Sequence, residues 1–168
     1  DGSTGMASMV CDVLVIGHDL PALVAMAAAG GCLLPGREIR RVVRRGRSIS
    51  AITLDHGEIG ARFFVDTSAS LSPAGRPVFE PVAGREYIDT IAVTGGQGGR
   101  HALPYRVTLV AGIDNALIIP SSLPSALAIA AAHAVGTAAA LLARTGQSTD
   151  QLDPATLRER LRAAGARL

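Results

Sequence analysis

The chain has 168 residues, of which 48% are hydrophobic and only 3% aromatic, enough for one domain whose core is built from Ala, Val, Leu and Ile rather than from rings. A formal net charge of +2 is too small to argue for nucleic acid or a membrane surface as a partner. Cys11 and Cys32 have no neighbouring His or second Cys at metal-ligand spacing, so no metal is expected and the pair reads as reduced core thiols of a cytoplasmic protein.

Residues 1–10 carry neither a basic nor a long apolar region and are expected to be a tail, with a single domain at 11–168. The first regular element is an apolar run of β-formers, Val13 to Ile16, that ends in Gly17 and leads into an Ala-rich buried helix reaching Gly31. A strand, a glycine turn and a helix open a dinucleotide fold, whose turn reads G-x-G-x-x-G/A. Here the turn reads Gly17-His18-Asp19-Leu20-Pro21-Ala22, with a carboxylate in place of the middle glycine. His18 and Asp19 form a candidate catalytic acid/base pair, because histidine titrates near neutrality and an adjacent carboxylate raises its pKa. Asp19 also stands where an N-cap belongs, ahead of Leu20 and with Pro21 in the first turn, and the cap is the favoured role.

Leu33 and Leu34 sit between breakers, too few for a central strand. Glu38 follows the glycine turn by roughly twenty residues, the distance of a ribose-binding acid. Three β segments come next, Glu38 to Arg44, Ser48 to Leu54 and Glu58 to Val65, separated by Arg45-Gly46 and Asp55-His56-Gly57. They predict an antiparallel meander. Its arginines at 37, 40, 41, 44, 45 and 47 read as the solvated side of an edge sheet in preference to an anion site.

The meander runs into Asp66 and a small-residue turn, Thr67 to Ser70. A proline-rich connection follows from Leu71 to Arg85, then a strand from Tyr87 to Val93 and a glycine loop at 94–100. No helix or Lys-Ser/Thr pair follows that loop, so it reads as a hairpin loop or lid, with His101 and Tyr105 as lid contacts. A strand is predicted at Arg106 to Ala111, a turn at Gly112 to Asn115 and a buried strand at Ala116 to Ile119. Pro120, Ser121 and Ser122 then lead to a long helix, about Pro124 to Arg144, with Ser122 as candidate cap and Gly146 as stop. The helix is near membrane length, but its alanines and the interruptions His133, Gly136 and Thr137 predict a buried helix, with His133 in the core. Asp153-Pro154 opens a last amphipathic helix with Leu157 and Leu161 on one face.

In this order the pieces resemble the FAD-dependent oxidoreductases of the glutathione-reductase-like type. The resemblance rests on the strand-turn-helix at Asp12 to Gly31, on FFVDTSAS closing the meander, and on the PYRVTLVAGIDNALIIPSS segment with its helix. It implies an α/β fold, a three-layer FAD/NAD(P)-binding-like (Rossmann-type) domain with a central parallel sheet and an antiparallel meander, reduced in size. It also implies FAD as the ancestral cofactor, with Gly17, Ala22, Glu38, Asp66, Ser121 and Ser122 at the positions of its cleft.

The departures fall on those same contacts. Asp19 replaces a glycine, Thr67-Ser68-Ala69 stands where the family has Ala-Thr-Gly, Ile119-Pro120-Ser121 stands where it has Ala-Gly-Arg, and the acid-tipped second strand is reduced. The expectation is a degenerate relative that has lost family-type FAD binding. It would act as a non-redox partner subunit, for instance of a full-length flavoenzyme, or as a cofactor-free ligand-binding protein or enzyme using the vacated cleft for a small molecule. The alternative is a minimal FAD-dependent oxidoreductase completed by a second subunit. A long apolar helix without a second domain to cover it further predicts a homo- or hetero-oligomer.

Overall fold

In a computed structural model, residues 9–17, 19–34, 39–68, 71, 78–95 and 99–168 are described. The strand β1, Met9–Ile16, is apolar on both faces from Val13 onward. Val13 and Val15 point into one core cluster and Leu14 and Ile16 into another. A strand covered on both sides reads as such a continuous apolar run. It begins at Met9, so the end of the stretch expected as tail is part of the sheet.

From β1 the chain enters α1, Leu20–Ala29, and returns as β2, Cys32–Leu34, a three-residue edge strand parallel to β1. Neighbouring β1 supplies the pairing that the two leucines alone do not announce. The meander follows as β3, Arg41–Arg45, β4, Ser48–Leu54, and β5, Gly57–Asp66. β5 is ten residues long. It runs antiparallel to β4 through Gly57–Gly60, parallel to β1 from Ile59 to Asp66, and parallel through its last residues to β8, Ala116–Ile118. The result is a mixed sheet of order β2-β1-β5-β4-β3 with β8 also on β5, and the fold is α/β. At the edge, β3 carries Arg41, Arg44 and Arg45 exposed and a bulge after Val43, features that discourage further strand pairing.

One face of the sheet is covered by α1 and by α2, Ser125–Thr145. The two alanine-rich helices nest at Gly136, where a Cβ would lie 2.4 Å from the Ala25 carbonyl oxygen and 2.9 Å from the Ala28 Cβ. The hairpin of β6, Thr90–Thr94, and β7, His101–Pro104, packs on α2 together with α3, Pro154–Ala163, which contributes Leu157 and Leu161. Eleven of the 21 residues of α2 are buried this way. It is the one helix among the described residues long and apolar enough to cross a membrane, and much of the surface that suggests an oligomer is covered by the chain's own elements.

Several local expectations are corrected. Residues 105–108 form a 3-10 helix rather than a strand, and the second hairpin strand lies earlier, at β7. The Asp89 carboxylate holds the Arg106 amide and guanidinium, and the Thr108 hydroxyl donates to the Tyr105 carbonyl at 2.7 Å, so this stretch satisfies its polar groups without a ladder. Tyr105 is no lid residue, since its hydroxyl is buried and donates to the Thr149 carbonyl at 2.7 Å. Ser122 does not cap α2. Pro124 holds the cap position with no side-chain bond, and Ser122 lies two residues earlier at φ +66. Gly146 ends the helix in the left-handed region, and Asp153 caps α3 through the Ala155 amide.

Candidate functional site

In an open α/β sheet, ligands bind beyond the carboxyl ends of the parallel strands where neighbouring connections diverge. Here β1 leads to α1 and β2 on one side and has β5 on the other, so the crevice opens above Gly17, Thr67 and the residues after β8.

Its floor is closed. Gly17 adopts φ +146, and a Cβ on it would lie 1.8 Å from the Thr67 Oγ1 and 3.1 Å from the Ala22 Cβ. Glycine is therefore required by a close approach as well as by the turn. The parallel register sets this contact: Ile16 pairs with Asp66, so the next residues, Gly17 and Thr67, meet. The Thr67 hydroxyl lies 3.0 Å from the Ile16 carbonyl and 3.2 Å from Asp19 Oδ1, a proton it gives to one acceptor at a time. Ala22 is fully buried beneath the turn and lines no cleft.

Asp66 is also 0% exposed. Its Oδ1 accepts from the Ser68 amide at 2.8 Å and the Ser68 hydroxyl at 3.0 Å, and its Oδ2 from the Leu71 amide at 2.9 Å. This carboxylate organises the turn after β5 and is buried beneath the cleft, whereas the sequence reading places it as a cleft ligand.

The rim is open. Asp19 caps α1, its Oδ1 accepting from the Ala22 amide at 3.0 Å. It lines a cavity of about 310 Å³ with Leu20, Ser121, Ser122, Leu123 and Ile129. Three of the residues singled out from the sequence, Asp19, Ser121 and Ser122, thus converge on one space, whereas Gly17, Ala22 and Asp66 are sealed below it. His18 and Glu38 lie outside the described residues, so the acid/base pair and the ribose acid have no geometry to report. Thr67 is the functional neighbour that residue-by-residue reading misses, and the signal for it is the strand register.

No family model, no curated protein and no solved structure matches the chain. The site therefore rests on its own geometry.

A larger groove of about 670 Å³ lies at the other end of the sheet, between Asn115 and the end of α2. Two of its polar side chains, Asn115 and Asp114, are occupied structurally, and Arg62 and Arg144 also line it. The Asn115 amide donates to the carbonyls of Ile49 and Arg62 and accepts from the Ile49 amide, while Asp114 pairs with Arg47 at 2.9 Å. Among the described residues no group of three or more His, Cys, Asp or Glu is placed to hold a metal. Cys11 and Cys32 are free and half-buried. Burial and the neighbouring Cys32 push the Cys11 thiol up to about 12, which keeps it protonated and unreactive near neutrality.

Proposed function

We propose that the chain is a reduced relative of the FAD/NAD(P)-binding fold that has given up the dinucleotide and serves as a cofactor-free protein binding a small molecule in the cleft beside Asp19. One observation carries the reading: the place above the first glycine turn, where such folds seat a pyrophosphate on helix amides, is filled by the chain's own groups. Asp19 supplies the anion for the Ala22 amide, and the Thr67 hydroxyl holds that carboxylate while packing on Gly17. The residues present do not fit FAD in the family manner, because a pyrophosphate would have to displace both groups and approach a fixed negative charge. The buried Asp66, bonded to the turn after β5, supports the same reading.

The test is the visible spectrum of the purified protein after incubation with FAD and gel filtration. No flavin band is expected to travel with the protein. A band surviving the column with micromolar or tighter affinity overturns the proposal. Flavin retained only in company with a second subunit would overturn it in favour of a minimal oxidoreductase completed by that subunit.

A further inference from the structure

We infer that the cleft selects a small organic cation, an alkylammonium group on an apolar body, with the ammonium at the second carboxylate oxygen of Asp19. The inference deepens the cofactor-free reading and rests on it. Both hydrogen bonds to Asp19 fall on Oδ1. Oδ2 receives none from the described residues, although a carboxylate oxygen accepts two. The capping duty thus uses one oxygen of a residue that also lines the cavity.

The formal side-chain charge that the described residues bring to the cavity is one-sided. Asp19 is the one ionisable side chain among the described residues lining the cavity. Neither helix beside it carries a basic residue near the cleft: α1 has none, and α2 has only Arg144, in its last turn at the far end. An anion entering here meets a carboxylate that no guanidinium among the described lining residues offsets. A cation meets its counter-charge on a group already held by the Ala22 amide as a helix cap, so little ordering is required on binding. The remaining walls set the rest of the ligand. Leu20, Leu123 and Ile129 offer apolar surface for a short alkyl body, and Ser121 and Ser122 frame the mouth. The volume of about 310 Å³ lies at the small end of ligand cavities, too small for a dinucleotide.

The experiment is a ¹⁵N-¹H NMR titration of the full chain with n-butylammonium, n-butanol and butyrate at matched ionic strength, and separately with FAD. Butylammonium is expected to shift the amides of Leu20, Ser121 and Ile129 and to bind about fivefold tighter than butanol, the factor of a partly exposed ion pair. Butyrate is expected to leave them unmoved. Asp19→Asn keeps a capping oxygen for the Ala22 amide and should bring butylammonium down to the butanol level. Ser125→Arg, at the exposed start of α2, tests the same point without touching the cap and should abolish the preference. Butyrate binding as tightly as butylammonium, shifts confined to other surfaces, or an unchanged preference in both variants would overturn the inference. If FAD moves the cleft amides, the cofactor-free reading falls. If FAD and butylammonium are both silent, the cation assignment alone falls.

Discussion

The two ends of the parallel strands carry indentations of unequal size, and they differ in how their polar groups are used. At the amino end, the groove of about 670 Å³ is the larger. There Asn115 makes three hydrogen bonds to neighbouring main chain and Asp114 pairs with Arg47, with Arg62 and Arg144 on the same walls. At the carboxyl end, the smaller cavity has a buried, hydrogen-bonded floor of Asp66 and Thr67 and a rim on which the second oxygen of Asp19 takes no bond from the described residues. Size alone would choose the amino end. Unspent hydrogen-bonding capacity next to apolar surface is the better mark of a ligand site, because buried polar groups that already have partners gain nothing from a newcomer.

The largest effect is expected where the floor is tightest. Gly17→Ala forces a Cβ to 1.8 Å from the Thr67 hydroxyl oxygen at φ +146 and should cost about 3 kcal/mol in denaturant unfolding. Adding Thr67→Ala should recover part of that loss, the non-additivity expected of residues in contact. An additive double variant would show that the two do not share the floor.

Asn115→Ala breaks the opposite end. It removes three hydrogen bonds and should cost about 2 kcal/mol, while leaving ligand shifts at Leu20 and Ile129 intact. Loss of those shifts would show the two ends to be coupled. Asp19→Ala should cost about 1 kcal/mol, the worth of an N-cap, with a larger relative effect on the ligand than on stability.

The smallest effect is pH-dependent. Burial holds the Tyr105 phenol well above its ordinary value. The folded state therefore keeps the proton after the unfolded chain has lost it, and the contribution present below about pH 10 declines as pH rises past that point. Tyr105→Phe should lose ~1 kcal/mol near neutrality, and its stability curve should approach the wild type above pH 10. Parallel curves through that range would refute the buried, neutral phenol.

How far all this was legible in the sequence depends on the range of the interaction. Asp19 as a cap, the turns at Gly46 and Asp55-His56, the stop at Gly146 and the Asp153 cap are local, and the sequence signals for them agree with the structure. The contact of Thr67 with Gly17 is set by pairing two strands distant in sequence, so no window contains it. The 3-10 helix at 105–108 follows from Asp89, 17 residues upstream. Ser122 looked like a cap by residue type, and the prolines at 120 and 124 place the helix start beyond its reach.

The position of β5 also governs the order in which the sheet can assemble. It joins β4 through a tight hairpin, but it meets β1 and β8 only across about fifty residues on either side. During synthesis the hairpin can close early, while the carboxyl half of β5 keeps a naked edge until Ala116–Ile118 have emerged. Phe63, Phe64 and Val65 lie in that half. A nascent chain stalled between those points would display its stickiest strand, so the interval between Asp66 and Ala116 is where translation speed and chaperone access bear most on yield.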